Sequence, residues 1–124
     1  MRIILDTNFL MAVAEFKIDI FSEIERIADF KYEIYIIDKT IDELDNIIKT
    51  QKGKNKQAAS LALQLIEHKD VKQIKTAEGR TDDLIVEAAG KDTIIATQDI
   101  ELKKRLKDRS RIMCIRQKKH IFIR

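Results

Sequence analysis

The sequence predicts an α/β fold, a three-layer α/β/α sandwich in which helices cover both faces of a central parallel sheet. Two observations indicate this fold. Short apolar, β-branched runs alternate along the chain with stretches whose apolar residues recur at helical spacing. Such alternation is typical of a parallel sheet covered on both faces. The length of 124 residues suits a single domain that spans residues 1 to 124.

The first part of the chain predicts two strands separated by two helices. Arg2 to Leu5 is a short apolar strand, and the capping cluster Asp6-Thr7-Asn8 predicts a helix from Asn8 to Phe16. Isoleucines at helical spacing predict a second helix within Asp19 to Phe30. The β-branched and aromatic residues of Tyr32 to Ile37 predict the second strand.

The middle of the chain predicts two helices joined by a polar turn. Apolar residues at helical spacing predict a helix from Asp38 to Ile48, and a basic turn follows from Lys49 to Lys56. The alanines and leucines of Ala58 to Ile66 strongly favour a helix. A short strand is expected over Val71 to Lys75.

The last part of the chain predicts two helices and three strands. A helix opens at Thr81-Asp82-Asp83 and ends near Gly90, which is a common stop residue. A buried strand over Thr93 to Ala96 leads into a helix around Leu102 and Leu106. Two further strands are expected, over Arg111 to Ile115 and His120 to Ile123.

Four acidic residues stand after predicted strands or near the start of predicted helices: Asp6, Glu43, Asp82 and Asp99. The ligand crevice of an open α/β sheet lies beyond the carboxyl ends of its strands, so these side chains can converge there. Like charges ~4 Å apart repel by about 4 kcal/mol at an effective dielectric near 20. A cluster of acids therefore predicts a bound cation that offsets this repulsion. Carboxylate oxygens suit Mg²⁺ or Mn²⁺, which would activate water for phosphodiester hydrolysis.

Each acid also has a structural interpretation. Asp6, Asp82 and Asp99 all sit where a helix N-cap is wanted, and a carboxylate there satisfies free N–H groups. Glu43 has less structural reason to be acidic, because it flanks an apolar stripe and its partner Lys39 lies at the less favourable i−4 position.

Competing chemistries lack specific residues. The chain has no glycine-rich phosphate loop, and His68 and His120 have no cysteine or histidine partner at zinc spacing. An aspartyl-phosphate enzyme or a phospho-receiver would need a second acid two residues after Asp6, where this chain has Asn8. The single cysteine, Cys114, lies in an apolar run that predicts a buried thiol.

The charge distribution predicts a polyanionic partner. Residues 1 to 48 hold 5 basic and 11 acidic side chains, whereas residues 103 to 124 hold 10 basic side chains and one acidic side chain. Clustered positive charge is typical of nucleic-acid binding, although a solvated helix and strand would show the same pattern. No membrane-spanning run or signal peptide is recognisable, so we expect a cytoplasmic protein without a membrane partner.

Four short motifs, in order, resemble those of the PIN-domain ribonucleases. They are Ile4-Leu5-Asp6-Thr7-Asn8, Ile41-Asp42-Glu43-Leu44, Thr81-Asp82-Asp83-Leu84-Ile85 and Ala96-Thr97-Gln98-Asp99. The Asp82-Asp83 pair and the basic ending look most like the archaeal and eukaryotic rRNA-processing branch of that family. The toxin branch, VapC, is the nearest alternative.

The resemblance implies a Mg²⁺ or Mn²⁺ site and endonucleolytic cleavage of single-stranded RNA. Asp6, Glu43, Asp82 and Asp99 would be metal ligands or acids close to the metal, with Thr97 and Asn8 hydrogen-bonding around them. Two features depart from the family pattern or leave a choice. Many members carry a proline where this chain has Asp38-Lys39, and Asp83 could take the role given to Asp82. Asp82 is preferred because Ile85 and Ala89 then fall at the family's apolar positions.

Three functions follow as hypotheses. The leading one is a metal-dependent endoribonuclease of structured or ribosomal RNA, and the alternatives are a VapC-type toxin that cleaves tRNA or mRNA and a catalytically silent RNA-binding module. A homodimer is the oligomeric state considered. The expected phosphate contacts lie in the basic turn and the basic ending, at Lys49, Lys52, Lys54, Lys56, Arg116, Lys118 and Lys119.

Overall fold

Six strands form one mixed sheet in the computed structural model, which describes residues 1 to 124. The strands are β1 (Arg2–Leu5), β2 (Glu33–Ile37), β3 (Lys72–Ile74), β4 (Thr93–Ala96), β5 (Arg111–Arg116) and β6 (His120–Ile123). Their order across the sheet is β3-β2-β1-β4-β5-β6. All neighbours pair in parallel except β5 and β6, which are antiparallel.

Six helices cover the two faces of this sheet. They are α1 (Thr7–Glu15), α2 (Ile20–Ile27), α3 (Asp38–Thr50), α4 (Lys54–His68), α5 (Thr81–Ala88) and α6 (Ile100–Leu106). One apolar cluster contains residues of α1 to α4, and a second contains residues of α5 and α6. The predicted three-layer α/β/α fold is confirmed. None of the helices is both long and apolar enough to cross a membrane.

The strands supply both apolar clusters because successive side chains of a strand point to opposite faces. In β1, Ile3 and Leu5 pack in the cluster with α1 to α4, whereas Ile4 packs in the cluster with α5 and α6. Every residue of β4 is buried, as expected for a central strand covered on both faces. Cys114 of β5 is buried as predicted, with 2% of its surface exposed.

The edge strand β6 adds one antiparallel pair to the predicted parallel sheet. Three residues join β5 to β6, and the Lys119 N–H donates to the Arg116 carbonyl at 3.1 Å. Gln117 and Lys118 have φ values of 54° and 58°, and positive φ at both central residues is typical of a type I′ turn. So short a connection can only return the chain antiparallel, since a parallel pair needs a crossover of a dozen or more residues.

The basic turn is shorter than predicted. α3 continues to Thr50 and α4 begins at Lys54, so the connection contains only Gln51, Lys52 and Gly53. The end of α3 and the start of α4 consist of exposed polar residues beyond the apolar stripe of each helix. Such residues show no hydrophobic periodicity, so the sequence pattern does not predict that they are helical. Gly53 has a φ of 67°, in the region that glycine adopts most readily.

Candidate active site

The carboxyl edge of the sheet gathers residues that are far apart in sequence. Asp6 follows β1 directly and Thr97 follows β4, and these two strands are neighbours with Leu5 opposite Ala96. On the other side of β1, β2 runs straight into α3, the helix that contains Glu43. Parallel strands end at the same edge, so Asp6, Thr97, Asp99 and the start of α3 meet there.

Asp6 is a buried carboxylate that does not cap its helix. Its backbone occupies the N-cap position of α1, but its side chain makes no capping hydrogen bond. Instead, Asp6 Oδ2 accepts a hydrogen bond of 2.8 Å from Thr97 Oγ1. Asp6 is only 3% exposed, and Thr97 is completely buried. The capping interpretation therefore does not account for the acid at this position.

Electrostatics link Asp6 to two of the other predicted acids. Burial raises the pKa of Asp6 from 3.8 to about 6, while the hydrogen bond from Thr97 acts in the opposite direction. The negative charges of Asp82 and Glu43 both add to the rise in this pKa. Asp82 and Glu43 therefore lie close enough to Asp6 for their charges to act on it, although they belong to different helices.

Two buried threonines position Glu43. Thr7 Oγ1 donates a hydrogen bond of 2.6 Å to Glu43 Oε1, and Thr40 Oγ1 lies 3.2 Å from the same Thr7 oxygen. Thr7 and Thr40 are 5% and 0% exposed, respectively. Neither threonine was predicted as a site residue, and Thr7 was assigned only to the capping cluster and the first motif. A signal was available, since Thr40 lies three residues before Glu43 and therefore on the same face of α3.

The adjacent acids Asp82 and Asp83 have different environments. Asp82 is half-buried and its charge acts on Asp6, whereas Asp83 is exposed and its Oδ1 lies 2.8 Å from Arg105 Nη2. The structure therefore places Asp82, and not Asp83, in the electrostatic environment of Asp6. Asn8, the other predicted neighbour of the site, is exposed.

Asp99 lies at the same edge but acts as a helix cap. Its Oδ1 accepts hydrogen bonds from the N–H groups of Glu101 and Leu102, at 2.9 and 3.2 Å. Its own N–H donates to Thr97 Oγ1 at 3.1 Å, so Thr97 connects Asp99 to Asp6. Asp99 is not among the charges that shift the pKa of Asp6. The charges of Glu43 and Asp82 thus act on Asp6, and Asp99 is connected to Asp6 through the Thr97 hydroxyl group.

The donor chemistry of this edge fits a hard divalent cation. Asp6, Glu43 and Asp82 offer only carboxylate oxygens, and the raised pKa of Asp6 is the effect that a nearby positive charge would reverse. The side chains do not form a ready-made ligand set, since no group of three or more His, Cys, Asp or Glu residues has the geometry to hold a metal ion.

The seven predicted phosphate contacts are all exposed. Lys54 at the start of α4 and Lys118 in the β5–β6 turn line the same cleft of about 400 Å³, together with Phe16 and Lys17 at the end of α1. The Lys118 Nζ lies 5.5 Å from the centroid of the Phe16 ring. The basic turn and the basic ending, separate in sequence, therefore meet in one cleft.

Comparison with known proteins places the chain in a family. Residues 3–118 match the family described as "PIN like domain". Ribonuclease VapC4 of Methanocaldococcus jannaschii is 38% identical over 127 residues, which cover 98% of this chain and 95% of the relative. Ribonuclease VapC9 of Archaeoglobus fulgidus is 32% identical over 123 residues, covering 97% and 87%.

A solved structure supports the same assignment at the level of the fold. The PIN domain endonuclease Utp24 superposes with a TM-score of 0.80, covering 98% of this chain and 90% of that chain at 23% identity. The match to the family spans almost the entire sequence, and both VapC relatives align along almost all of this chain. The chain belongs to the PIN-domain family.

Proposed function

We propose that this protein is an endoribonuclease that hydrolyses RNA phosphodiester bonds with the help of Mg²⁺ or Mn²⁺. The observation that supports this best is the buried Asp6 carboxylate, which does not cap its helix and lies in the field of Glu43 and Asp82. Both curated relatives are named ribonucleases. Perturbed carboxylates at the carboxyl edge of an α/β sheet are typical of functional sites.

Four carboxylates would hold the cation: Asp6, Glu43, Asp82 and Asp99. A bound divalent ion would polarise the phosphoryl oxygen and lower the pKa of an attacking water. Thr97 orients Asp6, and Thr7 with Thr40 orients Glu43. In Asp99, Oδ1 takes both capping hydrogen bonds, so Oδ2 remains available to a ligand while the cap is kept.

A catalytically silent RNA-binding module is the less favoured function. An acid kept only for structure would be expected to cap a helix or to form an ion pair, as Asp99 and Asp83 do. Asp6 does neither, and ionised carboxylates are costly to bury unless they are paired. A scaffold would gain stability by replacing Asp6 with a neutral residue.

The substrate that we propose is that of the toxin branch, a tRNA or an mRNA. The relatives at 38% and 32% identity carry the name VapC, whereas Utp24, at 23% identity, supports only the fold. A role in rRNA processing, which Asp82-Asp83 and the basic ending suggested, stays a prediction. A toxin-type enzyme would have a small antitoxin partner, so the neighbouring open reading frame is the first place to look.

Product mapping tests the activity. Cellular RNAs are incubated with the protein and Mn²⁺, and cleavage sites are read for the wild type and for Asp82→Asn and Asp83→Asn. The two variants lose the same charge at adjacent positions, but only Asp82 acts on Asp6. We expect cleavage by the wild type and Asp83→Asn, and a loss of orders of magnitude in Asp82→Asn. Equal activity of all three would contradict the proposed site.

A further inference from the structure

A basic groove lies between α6 and the outer strands of the sheet, away from the cleft that contains Lys54 and Lys118. It has a volume of about 610 Å³ and is lined by five basic side chains, Lys103, Lys104, Lys107, Arg111 and Arg124. No acidic side chain lines it. The groove lies within the basic ending recognised in the sequence, but none of its five basic residues was among the predicted phosphate contacts.

The positive charge of the groove is mostly unpaired. Of the five basic residues, Lys104 alone forms an ion pair, at 3.6 Å from Glu101, and both of these side chains are exposed. Exposed ion pairs of this kind contribute little free energy. The Arg111 Nε donates to the main-chain oxygen of Arg124 at 3.2 Å, which orients the Arg111 side chain. Four cations are therefore available to an anionic ligand.

The groove extends from the candidate active site to the opposite edge of the sheet. Ile100 lines one end and directly follows Asp99, at the carboxyl edge of β4. Arg111 lines the other end and is the first residue of β5, which pairs in parallel with β4. An extended chain that occupied this groove would have one end beside the proposed catalytic acids.

An aromatic ring, that of Phe122, lies next to Arg124, which lines the groove. The Arg124 guanidinium is 5.9 Å from the centroid of the half-buried Phe122 ring, and the Arg116 guanidinium is 4.3 Å from it. Guanidinium planes and aromatic rings are the surfaces on which the bases of single strands stack. Both charge and stacking surfaces are thus present along one path.

We propose that this groove binds the phosphodiester backbone of the RNA strand as it leaves the candidate active site. The identity of the ligand as RNA rests on the proposed function. An acidic protein segment is a poorer fit, because only two of the eight lining residues are hydrophobic. Protein interfaces concentrate their affinity in buried apolar and aromatic anchors, which this groove lacks.

RNA affinity without cleavage tests the proposal. In an Asp6→Asn background and without metal, Lys103, Lys107 and Arg124 are replaced together by Gln, and binding of a fluorescein-labelled oligouridylate is titrated against salt. Each lost phosphate contact should flatten the slope of log K against log salt by about 0.7, so we expect a change of about 2. The control replaces Lys31, Lys69 and Lys91 by Gln, which removes the same charge from exposed positions outside the groove.

The outcomes separate the groove from the proposed activity. A flattened slope in the groove variant with an unchanged slope in the control supports the proposal, whether or not the wild type cleaves RNA. Equal slopes in the groove variant and the control variant overturn the proposal. Polyglutamate represents an acidic protein segment, and a groove variant that loses affinity for polyglutamate but keeps its affinity for RNA also overturns the proposal. If circular dichroism shows that the triple variant is unfolded, the double variant Lys103→Gln/Lys107→Gln replaces it in the titration. This double variant keeps Arg124 and should flatten the slope by about 1.4.

Discussion

At the scale of single residues, Asp6 combines burial with charge. Its carboxylate is 3% exposed and is held by Thr97, and its pKa rises to about 6 because burial and neighbouring acids disfavour ionisation. An acid whose pKa is raised on folding destabilises the folded protein when it is ionised. Wild-type stability should therefore decline as pH rises from about 4 through about 6.

The first prediction is that Asp6→Asn stabilises the metal-free protein at pH 7. Asparagine still accepts the hydrogen bond from Thr97 but has no charge, so the gain should reach up to about 3 kcal/mol and should disappear below the pH at which Asp6 is protonated. Urea unfolding of wild type and variant at several pH values measures it. Asp83→Asn is the control, because Asp83 is exposed and its charge is not among those that shift the pKa of Asp6. A variant less stable than the wild type at pH 7 would refute the prediction.

The second prediction concerns the cation itself. Mn²⁺ should raise the melting temperature of the wild type, because an ion that binds only the folded state stabilises it by mass action. Asp6→Asn should lose most of this shift, since it lacks one proposed ligand. Thermal denaturation with and without Mn²⁺ measures the shifts, and equal shifts in both proteins would remove Asp6 from the site.

The third prediction assigns a positioning role to Thr7. Thr7→Val removes the hydroxyl that donates to Glu43 Oε1 but keeps the shape of the side chain, so RNA cleavage should fall by roughly 10- to 100-fold, as is usual for residues that orient metal ligands. Thr7→Ser keeps the hydroxyl and should rescue activity. A purely structural role would lower thermal stability without changing the Mn²⁺ concentration needed for half-maximal cleavage, whereas a positioning role should raise that concentration.

At the scale of elements, Glu23 joins α2 to the edge strand β6. It accepts a hydrogen bond of 3.1 Å from the Ile121 N–H and pairs with Arg26 at 3.0 Å, and His120 Nδ1 lies 3.5 Å away. The hydrogen bond from Arg26, opposed by desolvation and assisted by the Ile121 N–H, lowers the pKa of Glu23 to about 2. This contact anchors the only antiparallel strand to the helical layer.

The fourth prediction follows from that lowered pKa. Glu23 stabilises the fold fully above its ordinary pKa of 4.5, and this contribution is lost as the pH falls toward about 2. Glu23→Gln should thus lower the free energy of unfolding by about 1–2 kcal/mol at neutral pH, with a difference that shrinks in acid. Urea unfolding at neutral pH and in acid provides the measurement. Glu25→Gln, at an exposed position on the same helix, is the control. A difference independent of pH would argue against a charge effect.

At the scale of the whole molecule, basic residues form two separate surfaces. One is the cleft that brings together Lys54 and Lys118, and the other is the groove along α6. The acidic first part of the chain contributes Asp6 and Glu43 to the candidate catalytic edge. Electrostatic attraction would therefore draw RNA to the protein along more than one surface, in a manner sensitive to salt.

The fifth prediction tests the basic ending of the chain, from which Lys118 lines the first of these surfaces. Replacing Arg116, Lys118 and Lys119 together by Gln should weaken binding to many RNA sequences alike, since phosphate contacts carry no sequence information. The salt dependence of the affinity should also flatten, by about 0.7 for each contact that is lost. The RNA affinity of this variant is titrated against salt with several oligoribonucleotides. The control is again the variant in which Lys31, Lys69 and Lys91 are replaced by Gln. An altered preference among sequences would indicate base readout instead.

Much of the fold could be predicted from sequence because the relevant signals are local. β4 was predicted with its observed bounds because Thr93 to Ala96 is a continuous β-branched and apolar run. The ends of α3 and α4 were missed, since their exposed polar residues carry no periodicity. The direction of β6 was not predicted, because it depends on the backbone conformation of Gln117 and Lys118.

The sequence by itself determined the alternation of strands and helices, and it placed four acids after strands or near helix starts. Only the tertiary structure decided what each acid does. Asp6 and Asp99 occupy equivalent N-cap positions, yet Asp99 caps α6, whereas Asp6 accepts a hydrogen bond from Thr97, which follows the neighbouring strand β4. Asp82 and Asp83 differ only in the side of α5 from which they project. Hydrogen bonds, burial and repulsion between residues distant in sequence depend on packing, which local patterns do not encode.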